Sequence, residues 1–196
     1  SGFKGLGYFE NGTYMVGSNV RIEHPEDMQG VRVRSHSSNL QSDSFAAIGA
    51  MPLSVAWGGI YTSLQQHTID AVSGTTLTNM YGGKFYEQVK YITMTNHHFI
   101  PSLVVMNEDL WNSLSSEDQE IVQKAFNEAV VYQREIAFEY AETYKNNIVD
   151  SGVEIIDVDT AEWAEAMSSV YDKYVGTVGI DADMITRIQE AEAALQ

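Results

Sequence analysis

Two arginines stand two positions apart in the stretch GVRVRSHSSN, residues 30–39, of a chain that is otherwise acidic. The chain has 196 residues and a formal net charge of -16, with 11 Lys and Arg against 27 Asp and Glu. A planar guanidinium can hold a carboxylate through two parallel hydrogen bonds. The alternative is an exposed cation in a surface ion pair worth about 0–1 kcal/mol. We accept the second interpretation for Arg32, and on the residues alone both stay open for Arg34.

The position of Arg34 favours ligand chemistry. Alternation of valine and arginine over residues 30–34 predicts a strand that Arg34 ends, and the serines that follow supply N-cap candidates for a helix predicted over residues 39–48. Open α/β sheets bind ligands at the carboxyl ends of strands, and a helix N-terminus favours an anion. Arg34 is therefore a candidate carboxylate ligand, with His36 and Ser37 in the same polar connection.

Histidine and tryptophan supply further candidates. The pair His97-His98 invites a metal or a general base, but no carboxylate stands at the spacing of HExxH, so we expect no metal and keep His98 as a pocket wall. Trp57 and Tyr61 lie four apart, which by default indicates core packing. Trp57, beside two glycines, could instead edge a cleft.

Enzyme and polymer-binding signatures are absent from the sequence. There is no GxSxG or P-loop motif, and Glu10 stands where a dinucleotide fingerprint starting at Gly5 needs its third glycine, so we expect no cofactor and no catalysis. The acidic balance opposes nucleic acid and anionic lipid. No apolar run reaches 18 residues, so we expect no direct membrane insertion. The absence of cysteine fits the cytosol and the periplasm equally.

Short Val- and Ile-rich runs alternate with helical patterns, which is typical of βαβ units and an α/β fold. A helix predicted over about residues 116–149, with a capping box from Ser116 to Gln119, would be about 50 Å long and should span two lobes. Asn11-Gly12 predicts a hairpin turn. The other predicted strands are 51–56, 69–72, 89–95, 100–106 and 153–157, and the other predicted helices are 60–66, about 161–175 and 182–195.

Four segments in order resemble the solute-binding proteins of tripartite ATP-independent periplasmic (TRAP) transporters, the DctP family. HPEDMQGVRVR resembles the family's approach to a strand ending in its ligand-binding arginine, and AAIGAMPLSVAWGGIYTSLQQHTIDAV resembles the helix, strand and helix that follow. GGKFYEQVKYITMTNHH resembles the return to the hinge, and NEDLWNSLSSEDQEIVQKAFNEA the start of the long helix. The resemblance covers nearly the whole chain and corresponds to the C-terminal two-thirds of a family member.

The resemblance implies a periplasmic-binding-protein-like, two-lobed α/β fold that closes on a small organic acid and delivers it to a membrane permease. It places Arg34 on the arginine that pairs with the ligand carboxylate, and Trp57 on an aromatic position against the ligand. It implies a periplasmic protein without a cofactor, whose partners are a small organic acid and the TRAP permease subunits.

Two departures from the family pattern bear on the ligand. Gly74 stands where the family often has a ligand-binding asparagine, so either Ser73, Thr75 or a backbone N–H replaces that amide or the ligand is different. Tyr14 replaces a second arginine that some members carry.

The resemblance also predicts the domain layout. The second ligand-binding lobe would comprise residues 12–97 and 137–196. A remnant of the first lobe would comprise residues 1–11 and 98–136, with the first third of a complete protein absent. A ligand-sensing domain with the same fold, and less so a small α/β enzyme, are the alternative functions.

Overall fold

A computed structural model describes residues 2–177 and 180–194, and in this part of the chain there are two β-sheets and eight α-helices. The strands are β1 (Phe3–Thr13), β2 (Met15–Ser18), β3 (Arg32–Ser35), β4 (Met51–Ser54), β5 (Ala71–Thr75), β6 (Tyr91–Met94), β7 (Phe99–Asn107) and β8 (Glu154–Asp157). The helices are α1 (Asn39–Ala47), α2 (Ile60–Gln65), α3 (Leu77–Gly82), α4 (Glu108–Ser113), α5 (Ser116–Asp150), α6 (Thr160–Ala166), α7 (Ser169–Tyr174) and α8 (Ala182–Ala193). Short 3-10 turns occupy Pro25–Met28, Trp57–Gly59 and Phe85–Gln88.

The larger sheet has six strands in the order β4-β3-β5-β2-β6-β8. Strand β3 pairs in parallel with β4 and β5, and its Arg34 lies opposite Leu53 of β4 and Val72 of β5. Strand β2 runs antiparallel between β5 and β6. Because the carboxyl ends of β3, β4 and β5 share one edge, the residues that follow these three strands gather there.

Helices cover both faces of this sheet, so the central strands β2 and β5 are buried on both sides. Neighbouring residues of β2 serve opposite cores, with Met15 in one and Val16 in the other. The first core includes Ile148 from the end of α5, and the second includes the fully buried Trp163 of α6. The result is a three-layer lobe.

The smaller sheet is an antiparallel ribbon of β1 and β7. The first half of α5 packs on it: Phe126 stacks on Phe9 with ring centroids 5.4 Å apart, and Gln133 bonds the backbone N–H (3.0 Å) and carbonyl (2.6 Å) of Glu10. The second half of α5 reaches the first core through Ile148. The long helix therefore packs on both sheets. This agrees with the prediction, made from its length, that it spans two lobes.

Several local predictions were wrong. Ser115, not Ser116, caps α5: its hydroxyl accepts from the N–H of Asp118 (3.1 Å) and donates to the Asp118 carboxylate (2.7 Å). Asn11-Gly12 forms no hairpin but lies within β1, at a register shift where Gly12 adopts a φ of 79°. The helix predicted over about 161–175 is divided into α6 and α7, and the predicted residue 195 lies outside the described residues.

Within residues 2–177 and 180–194, no helix combines the length and the apolar composition needed to cross a bilayer.

Candidate functional site

Arg34 lies in β3 near the carboxyl edge of the larger sheet, and only 2% of its surface is exposed. Its Nε donates to the carbonyl of Val55 (2.9 Å), just beyond β4, and its Nη1 donates to the carbonyl of Ser73 (3.1 Å) in β5. These bonds fix the guanidinium plane and use two of its five N–H groups. Beyond these bonds and the contact of Nη2 with His36, each terminal nitrogen keeps one N–H without a partner in the described chain, and a two-bond contact with a carboxylate requires two such N–H groups.

Arg34 is the only buried Lys or Arg in the described part of the chain, and the ion pairs found there do not include it. Burial lowers the pKa of Arg34, and only Tyr14 opposes that shift. The guanidinium nevertheless stays charged at neutral pH. An unpaired buried charge costs several kcal/mol. An anion bound beside Arg34 would offset part of this cost.

Arg32 behaves oppositely, although it is two residues away on the same strand. Its Nε and Nη2 bond both carboxylate oxygens of Asp70, at 2.8 and 2.6 Å. The interpretation of Arg32 as a structural surface cation agrees with this pair.

His36 lies between Arg34 and the backbone of β5. Its Nε2 is 3.1 Å from the carbonyl of Gly74, which can only accept, so Nε2 carries the proton. Its Nδ1 then turns a lone pair toward Nη2 of Arg34, 3.5 Å away. Burial, with the nearby charge of Arg34, lowers the pKa of His36. The ring is therefore neutral at pH 7.

Gly74 leaves the space that His36 occupies. It adopts a φ of 72°, and a Cβ there would come within 2.5 Å of the His36 ring and 3.1 Å of Nη1 of Arg34. The glycine thus serves both the backbone conformation and the close approach of the two side chains.

Tyr14 lies where the chain passes from the ribbon into the larger sheet. Its ring stacks between His36 (centroids 5.7 Å apart) and His98 (5.6 Å), and its hydroxyl is 3.2 Å from Nε2 of His36. Its backbone N–H bonds the carbonyl of His98 (2.8 Å), so the two chain crossings between the sheets run side by side. Burial raises the pKa of Tyr14 and lowers that of His98, so all three rings are uncharged at neutral pH.

Ser73 and Thr75 are fully buried in β5. The Ser73 hydroxyl bonds Nε2 of His97 (3.0 Å), and Thr95 bonds Nδ1 of the same ring (2.7 Å). Burial lowers the pKa of His97 to about 3. The Thr75 hydroxyl is buried without a hydrogen-bond partner among the described residues.

Trp57 and Ser37 lie on the surface of the lobe. Trp57 is 45% exposed and meets Phe85 edge to face, with centroids 4.9 Å apart, so it is not a core residue. It follows Val55, whose carbonyl holds Arg34, by two positions. Ser37 is exposed in the connection to α1.

Two contributors to the site were not in the predicted set. The Val55 carbonyl orients Arg34, and backbone groups leave no mark in a sequence. His97 supports Ser73 from behind, and the only signal for it was the adjacent pair of histidines.

Arg34 lines neither of two cavities found in the described part of the chain. One, of about 330 Å³, lies between the junction of β1 with β2 and the helices α3 and α5, and its lining includes Glu10 but no Lys, Arg or His. A carboxylate would therefore find no cationic partner in the lining of this cavity. Within the described residues, no three metal-binding side chains cluster.

These features define a class: an α/β lobe tied by two crossings and a long helix to a second sheet, with a buried arginine at the sheet edge beside the crossings. The chain belongs to the bacterial extracellular solute-binding proteins, family 7 (DctP), whose family model matches residues 1–177.

Relatives and solved structures agree with this assignment. The 2,3-diketo-L-gulonate-binding periplasmic protein of Escherichia coli strain K12 is 31% identical over 97% of this chain and 59% of that protein. A TRAP periplasmic solute-binding protein from Sulfitobacter sp., with bound β-D-galacturonate, has a TM-score of 0.82 at 29% identity, covering 89% of this chain and 58% of that one. A counterpart from Shewanella oneidensis, with bound succinate, has a TM-score of 0.80 at 31% identity, covering 91% and 59%.

The chain thus spans about three fifths of the length of the relatives it matches. The predicted family and α/β fold class are confirmed, and the predicted periplasmic location agrees with relatives of this family that are named periplasmic.

Proposed function

We propose that this chain forms one lobe, the hinge and the lobe-spanning helix of a non-enzymatic solute-binding protein that captures a small carboxylate-bearing organic acid and delivers it to a TRAP permease. The observation that carries the proposal is Arg34, a buried guanidinium with fixed orientation and no counter-ion in the described chain. The relatives named for, or solved with, diketogulonate, galacturonate and succinate support a carboxylate ligand.

The proposed site comprises Arg34 with Tyr14, His36, Ser37, Trp57, Ser73, Gly74, Thr75 and His98. Arg34 would bind the carboxylate, and the flanking hydroxyl and imidazole groups would bind the rest of the ligand. Residues 12–97 and 137–196 would form the ligand-binding lobe, and residues 1–11 and 98–136 part of a facing lobe that the relatives' additional length completes.

Hinge closure would provide the signal to the permease. Ligand held by both lobes makes contacts that only the closed form offers, so binding shifts the equilibrium toward closure. The paired crossings at Tyr14 and His98 support this hinge position.

A thermal-shift screen of organic acids against the full-length protein that contains these residues tests the proposal. At an acid concentration of 100 times Kd, a ligand that binds only the folded state adds about 2.7 kcal/mol of stability. A carboxylate that raises the Tm, and whose uptake requires the permease subunits in reconstituted vesicles, is the expected result. Turnover of a bound acid, or binding confined to molecules without a carboxylate, would contradict the proposal.

A further inference from the structure

The charges around Arg34 restrict the kind of acid that this lobe can accept. His36 contacts Arg34, and Tyr14 stacks on both His36 and His98. Burial disfavours the ionised form of each of these three rings. Behind them, burial keeps His97 neutral, and its two ring nitrogens are hydrogen-bonded to Ser73 and Thr95. This lobe's part of the site therefore carries one positive charge.

Burial and the charge of Arg34 keep His36 neutral by lowering its pKa, and the geometry around its second ring nitrogen agrees. Protonation at Nδ1 would point an N–H at Nη2 of Arg34 over 3.5 Å, while Nε2 is already committed to the Gly74 carbonyl. No carboxylate from any element packed around His36 contributes to its pKa; the groups acting on it are Arg34, the Gly74 backbone and His98.

These neutral rings suit hydroxyl groups better than a second carboxylate. A tyrosine hydroxyl and a neutral imidazole can each donate and accept, so they satisfy sugar-like hydroxyls at little cost. A second carboxylate against them would lose its hydration without gaining a cation, and a buried unpaired charge is expensive.

We propose that the site of this chain selects hydroxylated monocarboxylates, of the sugar-acid class, over dicarboxylates. The inference rests on the proposed function, because it assigns the ligand carboxylate to Arg34. Tyr14, His36 and His98 are then the specificity-determining residues, and the stacked Tyr14 ring fixes their spacing.

Titration calorimetry on the full-length protein with D-galacturonate and succinate tests the selection. The expected result is that succinate binds at least about 100-fold more weakly, which corresponds to two factors of ten at about 1.4 kcal/mol each. Equal or tighter binding of succinate overturns the inference. If Arg34→Ala removes that succinate binding, the proposed function survives; if no carboxylate in the thermal-shift screen binds, the proposed function fails instead.

His98→Arg supplies a second test, because the His98 side chain reaches solvent although part of its ring is covered. Adding a cation beside Tyr14 should narrow the galacturonate-to-succinate affinity ratio by about tenfold. An unchanged ratio in a folded His98→Arg protein would show that charge at this position does not set selectivity, and would overturn the assignment of His98.

Discussion

Acidification should destabilise the protein through His97, because its imidazole is held neutral in the fold. Burial lowers the pKa of this ring to about 3, whereas an unfolded histidine titrates near 6.5. The unfolded state therefore binds the proton first as the pH falls below about 6.5. The stability contributed by the neutral ring is complete above that pH and is lost progressively toward pH 3.

The magnitude follows from the two pKa values. Between pH 7.5 and pH 5 the loss is up to about 2 kcal/mol at 1.36 kcal/mol per pKa unit, which corresponds to a fall of about 4–8 °C in Tm for a chain of this size. Part of His97 stays accessible to solvent, so this figure is an upper bound.

Urea unfolding at pH 7.5 and pH 5, for wild type and His97→Gln, isolates the effect. Other groups also titrate between these pH values and lower the stability of both proteins. The contribution of His97 is therefore the loss of free energy of unfolding in wild type minus the loss in His97→Gln. In NMR titrations the His97 ring should stay neutral above pH 5, while the exposed His24, whose pKa Glu162 raises, titrates in the same spectra as a reference. If wild type and His97→Gln lose the same free energy of unfolding, or if the pKa of His97 is near 6.5, the buried ring of His97 does not cause the loss of stability.

Three further predictions concern the site and the hinge. Gly74→Ala should destabilise the lobe by about 1–3 kcal/mol, because φ is positive and the new Cβ overlaps the His36 ring, and should weaken acid binding; an unaltered affinity would show that His36 has no fixed place. Trp57 fluorescence should change when an acid binds to the full-length protein and should not change in Arg34→Ala, whereas an identical response in both would separate Trp57 from the site. The 196-residue chain alone should bind hydrophobic dye and exchange the amide protons of residues 100–130 early, because the ribbon exposes Leu103 and Val105. Adding the facing-lobe segment should reduce the dye binding and slow the amide exchange. A stable 196-residue monomer with full affinity would contradict the lobe assignment.

Much of the larger sheet was predictable because its signals are local. The alternation around Val33 and the run preceding α5 were sufficient to place β3 and the long helix within one or two residues. The capping error at Ser115 arose because two adjacent serines offer the same chemistry, and only backbone geometry decides between them. Asn11-Gly12 misled because a bulge uses the same positive φ as a hairpin turn.

The site was predictable to a smaller extent. Arg34 could be selected from strand position and from the resemblance, but its lack of a counter-ion depends on Asp70 pairing with Arg32 instead. The support that Ser73 gives to His97 joins residues 24 positions apart, and no sequence pattern encodes that contact. The stacking of Tyr14 with His36 and His98 likewise arises only from the side-by-side crossings.

The calorimetric affinity of Arg34→Ala in the full-length protein, with Arg32→Ala as the matched control on the same strand, tests whether Arg34 binds the ligand carboxylate. Removing one partner of a buried, hydrogen-bonded charge pair costs about 2–5 kcal/mol, so Arg34→Ala should bind its acid about 30- to 5,000-fold more weakly. Arg34→Lys should recover only part, and Arg32→Ala, whose partner is Asp70, should bind normally. Wild-type affinity in Arg34→Ala, or an equal loss in Arg32→Ala, would contradict the placement of the site.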